Sequence, residues 1–448
     1  MVEQQRRIGL EQEFFLVDRS GELSHRADEF LAACQEIAIQ QNLNPAYFVP
    51  EFVKSMVEIN TPPANNAADL AKIYVAHLKL AMQAARSLNL QLYPLSSYPL
   101  HIMPIMRDRP AYHMQARVLG SDRYLHAGKC TGTHFHLEAP PGSLDTHVGV
   151  AYRSTLQDQA ELLNTYNLAT ALDAALIALS RACPFYEGET IGLASHTIRY
   201  RGSEGFGWEG VFTQLQILGG LRPYVETVEE LVELQFERHY HWLAALDRAG
   251  VDRQLFLAAG GNLLKSAWNP VRLNPVGTVE IRSIDSNYPM VILAILSLVY
   301  HTAHRVWQQQ LTVRPASDAT RFELDGDRLW VPSFDYLNGK LLYAAATEGI
   351  KHPAVNDYVD SILNFALADS GTGVRYLANL RSDLDHYQTI EAGILQAFVP
   401  ATAELSRESG LRLVQNCCAT LEQQIAILDV AEPLQVLDNS SLGSVACH

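Results

Sequence analysis

The sequence predicts an α+β fold built around a mixed or antiparallel sheet, and three observations carry that expectation. No Gly-rich phosphate loop follows any strand-like segment, the strand-like segments carry charged residues between apolar ones, and the C-terminal third reads almost wholly as helix. Strands separated by long helices are compatible with a parallel sheet, but these features together weigh against one.

The elements follow in order. Residues 8 to 17, IGLEQEFFLV, are apolar-rich and run into Asp18-Arg19-Ser20-Gly21, the pattern of a strand entering a turn. Phe30, Leu31, Cys34 and Ile37 are spaced for an amphipathic helix over 27–41, and a second helix is expected over about 68–88. Between them, 48–61 reads as extended and stops at Pro62-Pro63. Gly132 to Leu137 reads as a strand. Leu162, Leu163, Tyr166, Ala169, Leu172, Leu176 and Leu179 recur as in a helix over 155–182, closed by Pro184. Val279 to Ile284 is another short strand, followed by a strongly helical stretch over 290–311. A turn-rich tract near 312–340 interrupts the remainder, which is helical to about Leu428. The expected organisation is one domain over 1–435 and a loose tail over 436–448, where Asn439, Ser440, Ser441 and Gly443 cluster.

Composition narrows the function. Hydrophobic residues make up 48% of the 448 and charged residues 19%, an ordinary globular balance with enough chain for a substantial core. A formal net charge of −15 disfavours non-specific binding to nucleic acid or anionic membrane, although arginines and metal ions can reverse the sign inside a cleft. Apolar runs such as 290–300 fall short of the roughly 20 residues of a membrane span. Strand-like residues from Ile8 leave no room for a secretory signal, so a cytoplasmic location is expected. The six cysteines form no C-x-x-C pair and read as reduced thiols.

Chemistry enters through pairs. Residues two apart on a strand share a face, so Glu11 with Glu13, His134 with His136, and Glu280 with Arg282 make three polar pairs on otherwise apolar strands. Glu51 and Glu58 have opposite parity and need a bend between them to reach one site. Singly, each pair has an ordinary explanation: a solvated sheet face, surface or core histidines, a structural ion pair. Jointly they ask for cations, because convergent carboxylates repel and raise one another's pKa. Magnesium suits hard oxygen ligands and commonly bridges carboxylates to nucleotide phosphates, and an imidazole ligand also suits manganese.

Five blocks in order resemble the glutamate-cysteine ligase family of the bacterial carboxylate-amine ligase type, within the glutamine-synthetase-like superfamily. They are GLEQEFFLVD at 9–18, PEFVKSMVEINTPP at 50–63, GTHFHLE at 132–138, IALSRACPFYEGETIGLAS at 177–195 and WNPVRLNPVGTVEIRSID at 268–285. The resemblance implies a curved, largely antiparallel sheet forming an active-site funnel. It implies ATP-dependent amide formation through an acyl phosphate, with glutamate as the carboxylate partner, an amine as the acceptor, Mg2+ or Mn2+ as cofactor, and a place in glutathione biosynthesis. Carried over by position, Glu11, Glu13, Glu51, Glu58, His134 and Glu280 are candidate metal ligands. Arg282 is the candidate for phosphate or the acyl phosphate. Arg199, or Arg201 if the local alignment shifts by two, is the candidate for the substrate carboxylate or phosphate. No nucleic acid or membrane partner is implied, and a homo-oligomer is compatible with the reading. Two positions depart from relatives. Gln12 replaces a frequent glutamate but points to the other face, and Ala345-Ala346-Thr347-Glu348-Gly349 lacks an arginine that many relatives carry at Thr347.

Two alternatives stay open. A His-x-His strand also begins some zinc amidohydrolases, where it opens a repeating strand-helix barrel; here about 130 residues and two acidic strands precede it. A relative that binds nucleotide without catalysis is the other.

Overall fold

A computed structural model of the chain describes residues 6–145, 147, 149–150, 154–369, 376–377, 380–381, 390–397 and 404–430. The strand-forming alternation of 8–17 produces β1 (Ile8–Asp18), the middle of a seven-stranded sheet. Its partners are β2 (Phe48–Pro50), β3 (Met56–Asn60), β4 (Leu90–Tyr93), β5 (Gly132–Glu138), β6 (Val271–Asn274) and β7 (Thr278–Asp285). The order is β6-β7-β5-β1-β3-β2, with β4 on the far end of β1, and every pairing is antiparallel. The α+β reading with an antiparallel sheet therefore holds, and so does the mainly helical C-terminal region.

One face of this sheet packs on helices. Leu10, Phe14 and Leu16 of β1 are buried there with Gln12, whose amide donates to the Asn287 carbonyl at 2.7 Å and accepts from the Tyr74 hydroxyl. Gln12 does point away from the acidic face, and it has a role: a buried amide must be paired, and this pairing ties β1 to two helical segments. Tyr74 belongs to α2 (Ala67–Ser87), which packs beside α1 (Ala27–Gln40). The long α3 (Leu156–Ser180) is buried all round from Thr165 onward because it lies between β7 and α4 (Pro289–Gln308). Its start is fixed by a capping box in which Thr155 and Asp158 exchange side-chain and backbone bonds. By length and composition α3 and α4 would each pass as a membrane span, but 89% and 78% of their apolar windows are buried inside the protein.

Several local expectations change. α3 stops at Ser180, and Pro184 lies within a short strand, Cys183–Tyr186, that forms a hairpin with Glu189–Leu193. The turn-rich tract contains a second sheet of Thr312–Ala316, Glu323–Asp325 and Arg328–Pro332. Residues His196–Arg201 form a π-helical turn. The five described cysteines are buried and free, while Cys447 and the expected tail over 436–448 lie outside the described residues.

Candidate active site

Strand register brings the acidic face together. Glu13 pairs opposite Glu58, Glu11 opposite His134, and His136 opposite Glu280, so four adjacent strands contribute to one surface. The parity conflict of Glu51 and Glu58 is resolved by the turn between β2 and β3, which returns Glu51 to the same side. There Glu13, Glu51 and Glu58 offer carboxylate oxygens within 4.8 Å of one another. Phe52 donates its N–H to Glu51 Oε2 at 2.9 Å, and Arg107 Nε donates to the Glu51 carbonyl at 2.8 Å, which fixes that turn. Gly132 donates its N–H to Glu13 Oε2 at 2.7 Å. A Cβ at Gly132 would come within 2.9 Å of His196 Nε2, so glycine is what lets the strand and that ring approach.

These groups line a cavity of about 350 Å³. Its walls include Glu11, Glu13, Glu51, Glu58, His134, Arg272, Asn274 and Arg282, with the rings of Phe52, Tyr112, Tyr124, His196, Tyr200, Phe212 and Trp268. The electrostatics divide it. Burial raises the carboxyls of Glu13, Glu51 and Glu58, and mutual repulsion adds to it most strongly at Glu58. Burial acts the same way on Glu11, but His136 and His134 outweigh it and hold that carboxyl below the usual range. His134 is pushed down to about 4 by burial and by Arg282, whereas at His136 the Glu11 carboxylate overcomes burial and raises the ring's pKa.

A divalent cation fits these residues. Two buried carboxylates and a half-buried one repel without it, and His134 Nε2, buried without a hydrogen-bond partner, faces Glu13 at 3.9 Å. His134 Nδ1 meets Glu11 at 3.1 Å, which orients the ring. Glu11, Glu58 and His134 form a second group of mutually close ligand atoms, and Glu11, His136 and Glu280 a third. No group among the described residues contains both histidines, so the paired-histidine geometry of a zinc hydrolase is not assembled, and the sheet is not a strand-helix barrel.

Glu280, besides its place in that third group, has strong partners of its own. It is fully buried, and its oxygens accept from Arg272 Nε at 2.6 Å, Arg272 Nη2 at 3.3 Å, Asn274 Nδ2 at 2.5 Å and Arg282 Nη1 at 2.5 Å. Burial would raise this carboxyl, but Arg272 and Arg282 hold it well below the usual range. Glu280 is thus the shared counter-ion of two arginines. Arg282 keeps a buried Nε with no partner, so its guanidinium is not saturated by Glu280.

Neither Arg199 nor Arg201 lines this cavity. Arg199 lies over the Tyr186 ring at 4.9 Å, and Arg201 is buried against Asp173 at 2.8 Å and Asn338 at 2.8 Å. From the same turn the cavity receives His196 and Tyr200 instead, stacked with centroids 4.7 Å apart. The turn is held by Asp285, whose carboxylate accepts the N–H groups of Ala182, Ser195 and His196 at 2.9–3.2 Å and the Ser96 hydroxyl at 3.0 Å. Thr347 donates to the Tyr343 carbonyl at 2.8 Å and is not among the cavity-lining residues.

Arg272, Asn274, His196, Tyr200 and Asp285 were not singled out by the sequence reading. Arg272 had a signal: Asn274-Pro275-Val276-Gly277 is a hairpin turn, with Gly277 at φ +91°, and it places Arg272 opposite Glu280. His196 and Tyr200 had none, because strand parity says nothing about a π-helical turn.

Residues 7–201 match the family model described as glutamate-cysteine ligase family 2. A Pseudomonas aeruginosa protein provisionally named glutamate-cysteine ligase 2 is 26% identical over 192 residues, 42% of this chain and 45% of that one. A Legionella pneumophila protein with the provisional name glutamate-cysteine ligase 2-1 is 23% identical over 282 residues, covering 62% and 60%. The matched part spans about half the length of these relatives. Among solved structures, glutamate-cysteine ligase from Francisella tularensis in complex with AMP aligns with TM-score 0.58 at 12% identity, over 99% of this chain and 92% of that one. The bifunctional glutathione synthetase from Pasteurella multocida aligns with TM-score 0.56 at 14% identity, over 99% and 56%. The motif resemblance to glutamate-cysteine ligases is thus shown over the N-terminal part, and the shared fold over nearly the whole chain.

Proposed function

We propose, for a chain whose residues 7–201 carry the glutamate-cysteine ligase family 2 pattern, that this cavity joins a carboxylate, glutamate in the first instance, to an amine at the expense of ATP. One observation carries the reading: Glu11, Glu13, Glu51, Glu58 and His134 converge on a single sheet face with Arg282 beside them. Glu13, Glu51, Glu58, Glu11 and the unpartnered Nε2 of His134 would hold magnesium or manganese. That ion would draw charge from the nucleotide phosphates when bound.

The chain's own groups supply position and field. Arg282, anchored by one arm to Glu280, presents the rest of its guanidinium to the transferring phosphoryl group, where charge-assisted hydrogen bonds strengthen as charge shifts. The substrate carboxylate oxygen attacks the γ-phosphorus and ADP leaves with the bonding pair. The amine nitrogen then bonds to the acyl carbon, phosphate leaves with the C–O pair, and the nitrogen's proton passes to phosphate or water. The buried rings exclude competing water. A cytoplasmic setting and a role in glutathione formation belong to the same reading.

The test is ADP release by the full chain with ATP, magnesium and glutamate, across a panel of amines. Release that requires magnesium, glutamate and an amine together supports the ligase. Nucleotide binding with no turnover under any pairing would leave the non-catalytic relative as the better reading.

A further inference from the structure

Arg282 stands beside a second, smaller cavity. Its volume is about 10 Å³, and it shares Arg282 and Tyr200 with the larger one while adding Thr197, Arg201 and Ser283. Strict alternation would send the neighbours Arg282 and Ser283 to opposite faces of β7. A bulge prevents this, because the stretch from Ile281 to Ile284 on β7 is one residue longer than the stretch from Phe135 to Thr133 that it pairs with on β5. At the bulge the Arg282 N–H donates to the Pro270 carbonyl at 2.7 Å, and both side chains reach the wall of the small cavity. Thr197 arrives from the π-helical turn that also delivers Tyr200.

Three polar atoms of this wall are buried with no hydrogen-bond partner among the described residues: Arg282 Nε, Ser283 Oγ and Thr197 Oγ1. Ser283 is 4% exposed and Thr197 1%. Arg201 does not serve them, because its guanidinium donates to Asp173 and Asn338. Arg282 commits Nη1 to Glu280, and the Tyr200 hydroxyl lies near the same guanidinium. Buried polar groups in folded proteins are paired, by ordered water where no protein group reaches. A cavity of this size is at the lower limit for one water molecule, which takes roughly two to four polar partners. Hydroxyls offer both a proton and lone pairs, so a water can meet all three atoms in either sense, whereas an anion meets only their protons. The nearby cations are already paired, Arg201 with Asp173 and Arg272 and Arg282 with Glu280.

We propose that one water molecule binds in this cavity to Arg282 Nε, Ser283 Oγ and Thr197 Oγ1, and that Thr197 and Ser283 are thereby positioning residues for phosphoryl transfer. This rests on the ligase reading above, in which Arg282 faces the transferring group. A guanidinium held at Nη1 alone can turn about that contact. A second hold at Nε fixes its plane and leaves Nη2 for the phosphate.

The test uses the full chain. Crystals that diffract well enough to place waters should show one within hydrogen-bond reach of the three atoms. ADP release with ATP, magnesium, glutamate and the best amine of the panel is then compared for Thr197→Val, Ser283→Ala and the two combined. Each single variant should lower kcat about tenfold with KM for ATP changed less than about twofold. The combination should lose little more than either alone, because both remove the same bridge. Thr197→Ser, which keeps the hydroxyl, should recover most of what Thr197→Val loses. In an Arg282→Lys background Ser283→Ala should cost nothing further, since lysine has no Nε to hold. Equal losses in both backgrounds, or additive losses in the combination, would show a purely structural role and overturn the proposal. So would a chloride in the cavity, or hydroxyls that reach protein partners instead. Turnover by the wild type with no such water would uphold the ligase and sink this inference. The water seen in a chain that turns over no pairing would remove the ligase reading and leave the water site standing.

Discussion

Replacing Glu58 by glutamine should move the stability of the metal-free protein and its response to metal in opposite directions. Glu58 is 8% exposed and shares a space with Glu13 and Glu51, ligand oxygens within 4.8 Å. Two full charges at that separation repel by about 3.5 kcal/mol at an effective dielectric of about 20. Burial and mutual repulsion raise all three carboxyls, so the repulsion among them grows as they ionise with rising pH. The sign follows from linkage. A carboxyl whose folded pKa is raised costs stability as pH climbs from its unfolded value towards the folded one, and the amide has no such cost. In calorimetry with chelator at pH 7.5 (about neutral), Glu58→Gln should therefore melt higher than wild type by a few degrees. With magnesium or manganese added, wild type should gain stability and the variant should gain little, because a neutral amide is a poor ligand for a hard cation. A variant that melts lower in chelator yet keeps the full metal-induced gain would refute both the repulsion and the ligand assignment.

The two histidines should separate. His134→Ala, which takes a ring from the cavity wall to which His136 contributes none, should lower metal-nucleotide affinity and ADP release more than His136→Ala, and equal or reversed losses would overturn the assignment. The raised pKa of His136 makes its contribution complete below the ordinary value of about 6.5 and weaker as pH rises through the folded value, so the cost of His136→Gln in urea unfolding should shrink between about pH 6 and pH 9; a constant or growing cost would count against it. Arg282→Lys should cut turnover about a hundredfold. Its cost in melting temperature should stay below that of Arg272→Lys, because Glu280 retains Arg272 and Asn274 as partners when the Arg282 fork is lost; near-normal turnover with a large stability loss would show a purely structural ion pair. Asp285→Asn removes the charge and turns one of the two accepting oxygens into an NH2 group that faces backbone N–H donors, and should cost about 2–4 kcal/mol in denaturant unfolding, scaled from about 1.5–3 for one hydrogen bond to a charged group. A loss under about 1 kcal/mol would mean that the 195–201 turn holds without it.

By itself the sequence determined the period-2 features of this protein. Alternation put Glu11 and Glu13, or His134 and His136, on one face of their strands, and turn residues marked where β1 ends. Those are local consequences of backbone geometry, independent of what lies opposite. The tertiary structure decided everything that depends on register and on irregular backbone. Only pairing shows that Glu13 meets Glu58 and that Glu280 faces Arg272, and a partner choice of that kind makes Glu280, also close to Glu11 and His136, the counter-ion of an arginine. The turn that returns Glu51 to the face of Glu58 was required by parity, yet its shape depends on Arg107, far away in the chain. The exchange of Arg199 and Arg201 for His196 and Tyr200 depends on a π-helical turn held by Asp285, whose bonds from backbone N–H groups span 89 to 103 positions in sequence. Such bonds leave no periodic trace, because their partners are brought together by the packed sheet rather than by the local chain.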